Sequence, residues 1–249
     1  MTNAANRPIL GVIVPPADGA VPPELTALYS DRFRFVGRGL AIPRISTAGF
    51  DTVIDRVAEL SRELAAEDAA AIALMGTSLS FYRGGDWNEQ IGRTMRKASG
   101  LPATTMSDAI DAALHAVRGK RLAVATAYTD EMNRRLRAFL EARGFAVASL
   151  VALELSTVEQ VHAVSPRELE ALGERAVHEA SNADAVLISC GGLRTLDVTE
   201  TLESRTGLPV VSSAVAGAWA AVRLLGDSGY AQGYGRLLAQ SPVSEFPRR

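Results

Sequence analysis

Cysteine occurs once in this chain of 249 residues, and histidine three times. A single thiol excludes an intrachain disulfide framework, and His115, His162 and His178 are too scattered to give the paired spacing of a zinc site. No metal or other cofactor is called for, although a carboxylate-only magnesium site stays open. Basic charge is also scarce: 26 Lys and Arg against 28 Asp and Glu leave a formal net charge of −2. With the arginines dispersed through helical stretches there is no stripe for nucleic acid. The apolar run in the opening MTNAANRPILGVIVPP is too short to cross a membrane, and the segment lacks a signal peptide's charged start and cleavage pattern. The expectation is a cytoplasmic monomer that acts on a small molecule, with no nucleic-acid or membrane partner.

What is present is ordinary globular material, 47% hydrophobic and 22% charged, ample for a large core. Short apolar runs alternate with stretches of helical periodicity. Strands are expected at Ile9–Val14, Arg34–Leu40, Ala69–Met75, Leu101–Met106, Arg121–Thr126, Phe145–Leu153 and Pro209–Ser213, and in the four residues that lead from Ala185 into Ser189-Cys190-Gly191-Gly192. Helices are expected at Thr47–Glu67, Trp87–Ser99, Ala109–Val117, Glu131–Arg143, Ser165–Ala180, Val198–Thr206 and Gly217–Leu225. Ser156–Val164 reads as a loop, as does the segment from Pro15-Pro16 through Asp18-Gly19. Such alternation implies parallel sheets covered by helices on both faces.

The order runs through twice, with a boundary near Gly119. The expected architecture is α/β, with a first lobe over 1–118, a second over 119–216, and a C-terminal helix within 217–249 packing back on the first. MGTS at 75–78 and SCGG at 189–192 hold equivalent places, as do Thr104-Thr105 and Ser212-Ser213. Two like lobes facing each other bring both loops to one cleft, where small-molecule sites form.

The chain's single thiol, Cys190, sits at the carboxyl end of an expected buried strand, before Gly191-Gly192. Ligands bind at that end of open parallel sheets, and glycine turns present N–H groups to anions. A lone buried cysteine also serves simply as a small hydrophobe, and on this stretch both readings stand. Likewise the hydroxyls after Gly76 suit an anion, yet Ser and Thr cap helices everywhere.

Several segments together resemble the arylmalonate decarboxylases, a family within the aspartate/glutamate racemase superfamily. They are GVIVPP near the start, ALMGTSLSFYRG, VATAY at 124–128, LISCGGLRTLD, GLPVVSS and GYGRL at 233–237. The resemblance implies two pseudo-symmetric lobes, each a four-stranded parallel sheet flanked by helices, with the active site in the cleft. It further implies cofactor-independent decarboxylation of prochiral α-aryl malonates through an enediolate that Cys190 protonates on one face. Racemases of the superfamily carry a thiol on each lobe, whereas here Gly76 stands opposite Cys190. The resemblance assigns the side chains of Thr77, Ser78 and Tyr128, with backbone N–H groups around Ser78 and Cys190-Gly191, to the enediolate oxygens. It assigns Pro15, Ile42, Ile45, Phe50, Val158 and Val161, with Gly76 and Gly192, to the substrate pocket. Phe50 replaces a tyrosine of the family pattern, which bears on substrate range, and Val158 and Val161 also fit a packed helix face. A racemase or isomerase of the superfamily and a non-catalytic carboxylate binder are the competing readings. The first would want a second thiol, and the second would need none.

Overall fold

A computed structural model of the chain describes residues 6–42 and 53–239. The first lobe holds β1 (Ile9–Val14), α1 (Pro23–Tyr29), β2 (Arg34–Gly39), α2 (Val53–Ala66), β3 (Ala69–Leu74), α3 (Thr77–Phe81), α4 (Gly85–Ser99), β4 (Ala103–Thr105) and α5 (Met106–Ala116). The second holds β5 (Arg121–Thr126), α6 (Asp130–Ala142), β6 (Ala146–Ala152), α7 (Val158–Ala163), α8 (Pro166–Glu179), β7 (Ala185–Ser189), α9 (Leu196–Thr206) and β8 (Val210–Ser212). The last helix is α10 (Ser213–Arg223).

The two four-stranded sheets have the same order, β2-β1-β3-β4 and β6-β5-β7-β8, and every pairing is parallel. Strands covered on both faces are apolar throughout, not alternating; β7, AVLIS, is buried at every position. In each sheet the chain leaves its first strand to one side and returns on the other. The crevice at such a reversal lies beyond the strands' carboxyl ends. The loops after β1, β3, β5 and β7 therefore start from the central strands of both sheets.

Several short elements depart from the sequence expectation. Pro23 and Pro166 each open a helix at its first turn, where the missing N–H costs nothing; the first of these, α1, is not among the expected elements. Residues 158–163 are likewise helical, fixed by a capping box between Thr157 and Gln160. Thr77 and Ser78 open a one-turn helix of their own. The Thr105 hydroxyl accepts from the Asp108 N–H, so α5 starts at Met106, and Ser212 caps α10 four residues before its expected start. Beyond Arg223 no further helix occurs among the described residues. The first residues of the helix expected from Thr47, together with Ile45 and Phe50, lie outside the described residues.

The lobes interlock. α10 packs on α5 and α1, and it does so closely because Gly217 has no side chain: a Cβ there would lie 2.7 Å from both Met75 and Met106. The Tyr29 hydroxyl donates to the Gly229 carbonyl at 2.8 Å, and Arg32 pairs with Asp227 at 2.8 Å. The Phe81 ring meets the Tyr128 ring edge-on, centroids 5.7 Å apart, across the lobe boundary.

Candidate active site

A cavity of about 240 Å³ opens between the lobes, lined by the loops after β1, β3, β5 and β7. From the first lobe come Pro15, Ile42, Gly76, Thr77 and Ser78, and from the second Tyr128, Val158, Val161, Cys190, Gly191 and Gly192. These are all of the expected site residues that fall among the described ones.

Each is placed by local structure. The Leu40 and Ile42 N–H groups donate to the Val14 and Pro15 carbonyls, both at 2.9 Å, which carries Ile42 back beside the first loop. That loop lies directly on β2, where a Cβ on Gly39 would come within 2.4 Å of the Pro16 carbonyl oxygen. Met75 donates its N–H to Ile13 at 2.8 Å, and the chain then turns into α3 with no side chain capping its start. First-turn N–H groups of a helix have no intrahelical partner, which leaves those of Thr77 and Ser78, two residues that line the cavity, as available donors. In the second lobe the Asn133 amide donates to the Tyr128 carbonyl at 3.0 Å and its oxygen accepts from Thr126 at 2.7 Å, fixing the backbone after β5.

The thiol sits in a tight turn closed by the Leu193 N–H on the Cys190 carbonyl at 3.2 Å. Gly191 faces the other lobe: a Cβ there would lie 3.4 Å from the Thr77 hydroxyl. The Cys190 N–H donates to the Ser213 hydroxyl at 3.2 Å. This corrects one expectation, since that N–H is engaged and the backbone donors left to the site are those of Gly191 and the start of α3.

The hydroxyls of Thr77, Tyr128 and Ser189 are buried and make no well-formed hydrogen bond among the described residues; Tyr128 lies close to the other two and to Cys190. An unpaired buried hydroxyl costs about 1–3 kcal/mol, and three so weakly bonded mark a place prepared for acceptor atoms supplied from outside. Burial pushes the Tyr128 phenol well above its ordinary range, so it stays a donor. Burial also pushes the Cys190 thiol up to about 11, although the N–H groups of Gly192 and Leu193 and the Tyr128 hydroxyl pull it back. At neutrality Cys190 is therefore a protonated acid, and the rise above an ordinary thiol at about 8.5 was not visible in the sequence.

Ser189 and Ser213 were not singled out by the sequence reading as site residues, nor were Asp18, Glu24, His162, Leu193 and Arg194, which also line the cavity. The repeat offered one signal: Ser212-Ser213 matches the hydroxyl pair Thr104-Thr105. Among the described residues no group of three or more His, Cys, Asp or Glu side chains could hold a metal ion, and no helix is long and apolar enough to cross a membrane.

Paired parallel sheets of one topology, with a buried acid and a hydroxyl cluster in the cleft, define a two-lobed α/β enzyme acting on a small molecule. Residues 10–238 match the family model for arylmalonate decarboxylase. The chain is 44% identical over 238 residues to the arylmalonate decarboxylase of Bordetella bronchiseptica, covering 95% of this chain and 99% of that one. It is 28% identical to a maleate isomerase of Nocardia farcinica, covering 93% and 95%. Its fold superposes with a TM-score of 0.91 on a liganded arylmalonate decarboxylase carrying a glycine-to-cysteine and a cysteine-to-serine change, at 43% identity, covering 94% and 100%. The chain belongs to the arylmalonate decarboxylase family.

Proposed function

We propose that the protein decarboxylates prochiral α-aryl malonates without a cofactor, giving one enantiomer of the arylalkanoate. The observation that carries this reading is the juxtaposition of a protonated, buried Cys190 with the hydroxyls of Thr77, Ser78 and Tyr128 in a cavity whose remaining wall is mostly apolar. One malonate carboxylate accepts hydrogen bonds from Thr77, Ser78 and Tyr128 and from the backbone N–H groups of Ser78 and Gly191. The other lies against Pro15, Ile42, Val158 and Val161. Desolvation there disfavours the charged carboxylate and leaves neutral CO2 unpenalised.

Breaking the C–C bond leaves its electron pair on the α-carbon, delocalised over the retained carboxylate as an enediolate. The fixed donors meet that growing charge; removing one such donor typically costs about 2.7–4 kcal/mol in the transition state. The thiol of Cys190 then gives its proton to the α-carbon, and the resulting thiolate regains a proton from solvent. Because Cys190 is the chain's only cysteine, the proton arrives on one face. Since one chain's two lobes complete the cavity, the enzyme works as a monomer, and a cytoplasmic setting suits its free thiol. The test is CO2 release from phenylmalonate by purified protein with chelator present and nothing added.

A further inference from the structure

One end of the cavity plays no part in this chemistry. It is bounded by Pro22, Pro23 and Glu24 from the first lobe and by Leu193 and Arg194 from the second. Glu24, in the first turn of α1, is only 3% exposed; burial raises its pKa, and its own N–H and that of Thr195 work against that rise. Among the described residues Arg194 is the one arginine or lysine lining the cavity; it is exposed, and no ion pair or hydrogen bond joins it to another described residue. It is close enough to Glu24 to feel its charge, yet the two form no ion pair. An arginine directed at the leaving carboxylate would stabilise the ground state that must be lost and so oppose the reaction. Its partner in the complex is therefore another part of the substrate.

The chemistry of the pair narrows what that part is. A carboxylate substituent would meet Glu24, with Asp18 also in the cavity wall, and an ammonium group would meet Arg194. A purely apolar group would strip solvent from the exposed Arg194 and offer the buried Glu24 no new bond. A hydroxyl donates to the carboxylate and accepts from the guanidinium at once, and hydrogen bonds to charged groups are the stronger kind. We propose that Glu24 and Arg194 form a subsite for a ring hydroxyl, so that the preferred substrates are hydroxyaryl malonates. This rests on the decarboxylase reading above.

The test compares 3- and 4-hydroxyphenylmalonate with phenylmalonate as a ratio of kcat/KM. In parallel, calorimetry compares the binding of the matching hydroxyphenylacetates and phenylacetate. Wild-type, Arg194→Met, Glu24→Gln and the double variant are measured, each checked for its fold by circular dichroism. We expect at least one hydroxyl isomer to be favoured by about tenfold or more in the wild type, as a hydroxyl bound to charged partners should be. Either single substitution should lower that preference, and the double variant should abolish it. A wild-type preference below about tenfold, or one that survives in the double variant, overturns the subsite. Were no malonate decarboxylated, the functional reading would fall, and the binding comparison would decide the subsite by the same criteria.

Discussion

The backbone N–H of Cys190 donates to the hydroxyl of Ser213 at 3.2 Å, tying the turn that carries the thiol to the first residue of α10. The acid is thus held by the same helix that joins the lobes, through Gly217 against Met75 and Met106. Ser213→Ala removes the acceptor and leaves a buried N–H unpaired, at a cost of about 1–3 kcal/mol. At this chain length each kcal/mol corresponds to roughly 2–4 °C in Tm, so calorimetry should show a clear fall. Stereochemical purity should fall with it as the thiol loses its fixed position; a variant with wild-type Tm and purity would remove the anchor from the account.

The Thr77 and Tyr128 hydroxyls give a prediction in which stability and activity separate. Thr77→Val and Tyr128→Phe each delete a buried hydroxyl that makes no well-formed hydrogen bond in the free protein, so stability should change by no more than about 1 kcal/mol. The same changes should lower kcat and kcat/KM together by about a hundredfold or more, because the bonds strengthen as the enediolate forms. Thermal unfolding and steady-state kinetics on the same preparations check both halves. A loss confined to KM would restrict these groups to holding the ground-state carboxylate.

The thiol's raised pKa sets the pH dependence. Burial favours the neutral form, so the proton donor persists above the ordinary cysteine range and is lost only as pH approaches about 11. Turnover should therefore stay level well past pH 9, in buffers where circular dichroism shows the fold intact. Alkylation by iodoacetamide at pH 8 should be slow, because only about one thiol in a thousand is then ionised. An alkaline limb near 8.5 with rapid alkylation would mean a solvated, ordinary thiol.

Much of the fold was legible because fully buried parallel strands are short apolar runs between turn residues, and the repeat of that pattern at Gly119 exposed two lobes. The expected strands at Ile9–Val14 and Arg121–Thr126 coincide with the observed ones, and the strand read as leading from Ala185 towards Cys190 is found, ending at Ser189. The short helices were hard to read, since Pro23–Tyr29 and Val158–Ala163 span at most two turns, and the helical spacing they offer, Leu25 with Leu28 and Tyr29 or Val158 with Val161, is too brief to stand against a loop. Thr157 and Gln160, spaced as a capping box, were the available sign for the latter. In the site, the glycine turn and the hydroxyl run marked the chemistry. Glu24, Arg194, Ser189 and Ser213 passed as ordinary residues, because what distinguishes them is burial or the absence of a partner, which only the docking of the lobes creates. The height of the thiol's pKa was hidden for the same reason.

Gly76 is extended, with φ −128° and ψ 98°, so a side chain there meets no left-handed strain. An added Cβ would lie 3.2 Å from Pro15 Cγ and 3.3 Å from Leu79 Cβ, which asks for shifts of a few tenths of an ångström. Gly76→Cys should therefore fold, and it places a second thiol at the end of β3, in the position matching that of Cys190 at the end of β7. Slow racemisation of a 2-arylpropionate, with α-deuterium exchange in D2O, is the expected gain, and decarboxylation should lose enantiomeric purity. A folded variant showing neither exchange nor racemisation would contradict the opposition of residues 76 and 190.

The central claim is that Cys190 delivers the proton. Its most direct test is the decarboxylation of α-methyl-α-phenylmalonate by wild-type and Cys190→Ala protein, following CO2 and product enantiomers with the fold checked by circular dichroism. The account predicts a single enantiomer from the wild type, and from the folded alanine variant a loss of turnover of about a hundredfold or more. Near-wild-type CO2 release with unchanged enantiomeric excess in the variant would contradict it.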